Sequence, residues 1–183
     1  MFTIVGLGNP GNEYANTRHN IGRAFLETLA SKKDFEDFKE HKKSNALLSS
    51  GYITDKKFRI ALPNTFMNNS GKVVAPLKLS ARQTIIVHDD SDLPVGALKL
   101  SYGKGAGGHR GVESMLRSLR SKNVWRIRIG IQKKKRIAAE EIVLKSFSPK
   151  EQLEVKKLQK IFITMLDTAI SETPEKSASL YNQ

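Results

Sequence analysis

The sequence predicts an α/β fold: a single domain built on a twisted, mixed, largely parallel β-sheet with helices packed on both faces. Three observations predict it. Short β-rich runs punctuated by Gly and Pro alternate with segments of helical periodicity. A length of 183 residues with 39% hydrophobic content suffices for one core. Neither an internal repeat nor a low-complexity linker divides the chain.

In chain order, residues 2–6, 46–53, 58–62, 84–88, 97–102 and 125–131 read as strands, each rich in β-branched or apolar residues. The 46–53 and 58–62 runs flank a short turn at Thr54 and Asp55, which predicts a hairpin and hence a mixed sheet. Ile21, Phe25 and Leu29 share one helical face, as do Val112, Met115, Leu116 and Leu119. Ser148-Pro149-Lys150-Glu151 has the S-x-x-E capping pattern with Pro at the first helical position. It opens a long helix carrying Leu158, Ile161, Phe162, Met165 and Leu166. From about residue 171 the pattern dissolves, which predicts a polar C-terminal tail within the single domain 1–183.

Composition narrows the function. There are 31 Lys plus Arg against 18 Asp plus Glu, a net charge of +13, and an excess of that size points to a polyanionic partner such as nucleic acid. The absence of Cys excludes disulfides, thiolate metal sites and cysteine nucleophiles, and fits a reducing compartment. Residues 2–5 form a short apolar strand pattern rather than a leader with a basic n-region, and no apolar run is long enough to span a membrane. A soluble cytoplasmic protein is expected, and with no interface stripe a monomer.

The first strand runs into Gly6-Leu7-Gly8-Asn9-Pro10-Gly11, which formally satisfies G-x-G-x-x-G. A dinucleotide site needs a helix opening inside the glycines and an acid about twenty residues later on a second strand. Here Pro10-Gly11-Asn12 prolongs the turn, and helix and charged loop follow. His19 falls in the first turn of the next helix. The positive end of a helix disfavours imidazolium and so favours the neutral form a general base requires, although a solvated helix end would accommodate a histidine as well. The 84–88 strand ends in Asp89, Asp90 and Asp92, and acids at the carboxyl end of a buried strand lie where open α/β sheets bind ligands. Asp89 is placed to orient a histidine, and the other acids fit an exposed turn before Pro94. The polar cluster 63–71 opens another helix, where Asn68 offers an amide donor suited to an oxyanion and Asn69 or Ser70 a cap. Gly103 to Gly111 lead into a further helix without the Lys-Ser/Thr of a Walker A loop.

Taken together, GLGNPG at 6–11, TRHNIG at 17–22, FMNNSG at 66–71, HDDSDLPVG at 88–96, GGHRG at 107–111 and RIRIGI at 126–131 closely resemble the bacterial peptidyl-tRNA hydrolase family, in the family's order. The resemblance implies hydrolysis of the ester joining a peptide to the 3'-terminal ribose of tRNA. His19 is then the base that deprotonates water, and Asp89 holds its other ring nitrogen. Asn68 and Asn9 match positions that contact substrate and place the water, Asn9 being associated with preference for a blocked α-amino group. Tyr14 and Phe66 match positions near the terminal nucleotides. Neither metal nor cofactor is implied.

On the RNA side, Lys99, Arg128 and the 133–136 run KKKR supply cations for acceptor-stem phosphates, although 133–136 reads equally as a solvated loop. Arg110 stands where the family usually has Asn, and Ser101 where a second lysine is usual; Lys104 is the cation placed to restore that charge. His41 reads as surface, and His88 and His109 as structural, through hydrogen bonds or a helix cap. Two rivals remain. A non-catalytic RNA-binding protein on the same fold would have no need of His19 with Asp89, and a nucleotide-dependent oxidoreductase would bind NAD.

Overall fold

The computed structural model describes residues 1–133 and 135–182. Among the described residues, seven strands form one sheet: β1 (Phe2–Gly6), β2 (Lys39–His41), β3 (Ala46–Ile53), β4 (Lys56–Pro63), β5 (Thr84–Pro94), β6 (Leu98–Tyr102) and β7 (Trp125–Gln132). Their spatial order is β2-β3-β4-β1-β5-β7-β6. The central strands β4, β1, β5 and β7 are mutually parallel, while β2–β3, β3–β4 and β6–β7 are antiparallel. The sheet is mixed with a parallel centre, as the sequence predicts. β3 and β4 make the expected hairpin around Thr54, which adopts a positive φ of 55°.

Among the described residues, five α-helices accompany the sheet, together with short 3₁₀ helices: α1 (Ile21–Lys32), α2 (Arg110–Leu119), α3 (Ala139–Ile142), α4 (Pro149–Ser171) and α5 (Pro174–Tyr181). Alternation along the strands divides the core. Ile4, Ile60, Val87 and Ile127 face α1 and α4 through Phe25, Leu29, Phe162 and Met165. Val5, Ala61 and Ile86 face α2 through Val112 and Met115. Helices therefore cover both faces, as a sheet with a parallel centre requires. Among the described residues, no helix is long and apolar enough to cross a membrane.

Two expectations need correcting. The segment from 171 is not a loose tail: α5 is capped by Thr173, buries the Ser177 hydroxyl against the Met165 carbonyl, and ends where Asn182 exchanges two hydrogen bonds with Leu100 on edge strand β6. Its short, mostly polar pattern hides a helix whose stability comes from docking. Residues 39–41, expected in a charged loop, form edge strand β2, where half-exposed His41 bonds the Ser44 hydroxyl. The 63–71 cluster opens a helix as expected, of 3₁₀ type over Met67–Val73.

The placement of α1 decides where the site falls. A Cβ on Gly22 would collide with the Val87 carbonyl oxygen, and one on Gly6 would lie 2.9 Å from the Gly22 carbonyl, so α1 seats directly on the end of β1 and against β5 at Val87. His19 lies three residues before Gly22 and Asp89 two residues after Val87, and this close approach brings them together. Gly22→Ala gains helix propensity, yet the backbone collision should dominate. The expected outcome is a net loss of about 1–3 kcal/mol, read as a lower urea midpoint with an unchanged m-value.

Candidate active site

Asp89 is 2% exposed and sits in the middle of β5, which runs on to Pro94 rather than ending at residue 88, so that Asp90 and Asp92 lie in the strand and not in a turn. Its Oδ1 accepts from His19 Nδ1 at 2.9 Å and from His109 Nε2 at 2.8 Å. His109 caps α2, its Nδ1 accepting from the Gly111 and Val112 backbone N–H groups at 3.1 and 3.2 Å. The capping role matches the structural reading of His109; the bond to Asp89 had no signal in the local sequence. His88 completes a row of three imidazoles. Its ring centroid lies 4.9 Å from that of His109, itself 5.0 Å from that of His19, and its Nδ1 donates to the Asp89 carbonyl at 2.7 Å.

The electrostatics follow from burial and donors. Burial pushes the Asp89 carboxyl up, but the two facing imidazoles outweigh it and hold the group well below the ordinary carboxylate range. Burial, reinforced by His109, holds His88 well below the ordinary histidine range despite the opposing pull of Asp89, so His88 is neutral. An ionised Asp89 can only accept, so His19 carries its proton on Nδ1 in the neutral form and its lone pair on Nε2. The imidazole side chain is 14% exposed, enough to meet a small reactant.

Asn9 is buried beside this group. Its Oδ1 accepts from the Met67 backbone N–H at 2.8 Å, which leaves both Nδ2 protons for another partner. Its backbone is locked by Asn20, whose side chain accepts from Asn9 N–H at 2.9 Å and donates to the Asn9 carbonyl at 2.8 Å. In the sequence the one signal for Asn20 is its place directly after His19. Asn68 follows Met67 and is exposed. Tyr14 and Phe66 meet edge to face with centroids 6.3 Å apart, Phe66 being 59% exposed.

The cations are distributed unevenly. Lys99 and Arg128 are cross-strand partners on β6 and β7, but Arg128 spends its Nε on Asp90 at 2.6 Å. Lys104 and Arg110 are exposed, Arg110 beginning α2 next to His109. Arg136 pairs with Asp92, and Lys134 of the 133–136 run lies outside the described residues.

Two other chemistries can be weighed. Gly11 adopts a φ of 104°, and two 3₁₀ turns, Asn12–Tyr14 and Arg18–Asn20, intervene before α1 opens. The glycines therefore do not present a helix N-terminus to a pyrophosphate. His19, Asp89 and His109 place three ligand-type atoms within 4.8 Å of one another. Both contacts to Asp89 are hydrogen bonds, and a metal ion would have to displace those protons.

Comparison with known proteins fits this arrangement. The family model described as Peptidyl-tRNA hydrolase matches residues 3–183. A peptidyl-tRNA hydrolase from Aquifex aeolicus is 39% identical over 189 residues, covering 98% of this chain and 95% of the relative. One from Mycobacterium tuberculosis is 40% identical over 159 residues, covering 83% of this chain and 82% of the relative. The crystal structure of peptidyl-tRNA hydrolase from Acinetobacter baumannii superimposes with a TM-score of 0.90 at 31% identity, over 100% of this chain and 94% of that one. Matched in sequence and in fold along essentially its whole length, the chain belongs to the peptidyl-tRNA hydrolase family.

Proposed function

We propose that this chain hydrolyses the ester between a peptide and the 3'-terminal ribose of tRNA, with His19 as general base. The observation that carries the proposal is the 2.9 Å bond from His19 Nδ1–H to a buried, ionised Asp89, which leaves the Nε2 lone pair free to accept a proton from water. The resulting hydroxide attacks the ester carbonyl carbon. The negative charge that develops on the carbonyl oxygen requires donors, and Asn68 and the Nδ2 protons of Asn9 are the amides assigned to contact the substrate. As the intermediate collapses, the ribose oxygen leaves and takes the proton back from the His19 imidazolium. Asp89 stabilises that imidazolium through the bond it already makes, and His109 keeps Asp89 in place.

Tyr14 and Phe66 provide aromatic faces for the terminal nucleotide, and Lys99, Lys104, Arg110 and Arg128 provide cations for phosphates. Arg128 is the weakest of these because Asp90 already neutralises part of its charge. All the named groups come from one chain, so a cytoplasmic monomer suffices for the reaction.

His19→Ala is expected to lower kcat at least about a hundredfold with little change in KM, measured as release of N-acetyl amino acid from N-acetyl-aminoacyl-tRNA. Unblocked aminoacyl-tRNA should be cleaved far more slowly by the wild type. tRNA binding without release in the wild type would show a non-catalytic RNA-binding protein instead.

The Asp89 carboxyl also sets a pH dependence of stability. Its folded value lies below the unfolded one of about 3.9, so its contribution is fully present above that pH and is lost as pH falls toward the folded value. Urea unfolding of the wild type should therefore show stability falling steeply below about pH 4, and Asp89→Asn should flatten that fall. Equal slopes in the two proteins would contradict the assignment.

A further inference from the structure

The first N–H groups of any helix lack partners within it. In the Arg18–Asn20 turn the N-cap Thr17 makes no side-chain capping bond. The Arg18 N–H instead donates to the Lys145 carbonyl at 3.0 Å and the His19 N–H to the Val143 carbonyl at 2.8 Å, and Thr17 forms an isolated antiparallel bridge with Ser146. The backbone under the imidazole is thus capped from outside, by a strap of residues 143–147 that is distant in sequence and has no helix or ladder of its own.

The Arg18 side chain fastens that strap. It is fully buried, and its guanidinium reaches both ends of the connection that contains the strap. Nη1 donates to the Ile131 carbonyl near the end of β7 at 2.9 Å, and Nη2 donates to Glu151 Oε2 in the first turn of α4 at 2.7 Å. Its carbon centre lies 4.5 Å from the ring centroid of Phe147, the last residue of the strap. Glu151 also accepts from the Ser148 N–H and hydroxyl, each at 2.8 Å. Partial burial pushes its carboxyl up, but the bonds from Arg18 and Ser148 prevail and hold it below the ordinary range, so Glu151 is ionised at neutral pH.

We propose that Arg18 is a positioning residue for His19, holding the 143–147 strap so that the strap's carbonyls set the backbone from which the imidazole reaches Asp89. The role requires a planar fork, because one group must satisfy two acceptors and lie over a ring; a lysine ammonium cannot do all three. The inference rests on the reading of His19 as general base.

The test uses Arg18→Lys, with Glu151→Gln as a milder variant that keeps the hydrogen-bonding shape, each first shown to be folded by its urea transition. Arg18→Lys is expected to lower kcat on N-acetyl-aminoacyl-tRNA about tenfold, with KM unchanged, and Glu151→Gln to lower it less. In a His19→Ala background Arg18→Lys should cost nothing further, since residues acting through one group are not additive. The NMR titration of the His19 imidazole should differ between wild type and Arg18→Lys. An unchanged kcat per folded molecule, or the same loss with His19 absent, would overturn the proposal. If the wild type releases no product, the hydrolase reading fails, and the titration alone decides: a changed His19 curve sustains positioning by Arg18, and an identical one refutes it.

Discussion

The arrangement hangs on one buried negative charge. A carboxylate taken out of water costs several kcal/mol unless donors replace its hydration, and Asp89 meets that demand with two imidazole N–H groups on a single oxygen. Each imidazole then has only one nitrogen left with a lone pair. His109 uses it to cap α2, and His19 keeps it free. One electrostatic requirement thus fixes two tautomers, the entry of α2 and the orientation of the base.

Everything that brings these groups together is close packing at the carboxyl end of β1 and the middle of β5. Gly6 and Gly22 let α1 seat against the Val87 carbonyl, and Asn20 ties the same turn to the Asn9 backbone. Asn9 is tied in turn to Met67, at the start of the segment that carries Asn68. Three loops from separate parts of the chain are therefore held by bonds from the buried Asn9 and Asn20 amides to backbone groups, which fixes the geometry of the site.

The cationic side obeys different physics. The +13 net charge attracts RNA at long range, whereas individual cations are already committed: Arg128 to Asp90, Arg136 to Asp92, and Arg18 to Glu151 in the interior. A count of Lys and Arg overstates the charge available to a phosphate. The polar pattern after residue 171 misleads in a similar way, since α5 is stabilised by its contacts with α4 and β6 rather than by a strong apolar stripe.

Local pattern determined most of the fold. Strand alternation, the Ser148 capping box and the glycine-punctuated turns act between neighbouring residues, so the strands of the sheet, except short β2, and the long α4 were legible from them. His19, Asp89 and Asn68 stood out because polar residues after apolar strands and at helix starts break the apolar pattern, whereas Asn9 was marked only by the family resemblance. Tertiary structure alone decided that His109 shares Asp89, that Asn20 locks Asn9, and that Arg18 fastens a strap over the turn of His19. Hydrogen bonds between residues far apart in the chain leave no periodicity behind, and a buried arginine or histidine reads in sequence like an exposed one until the fold removes the water around it.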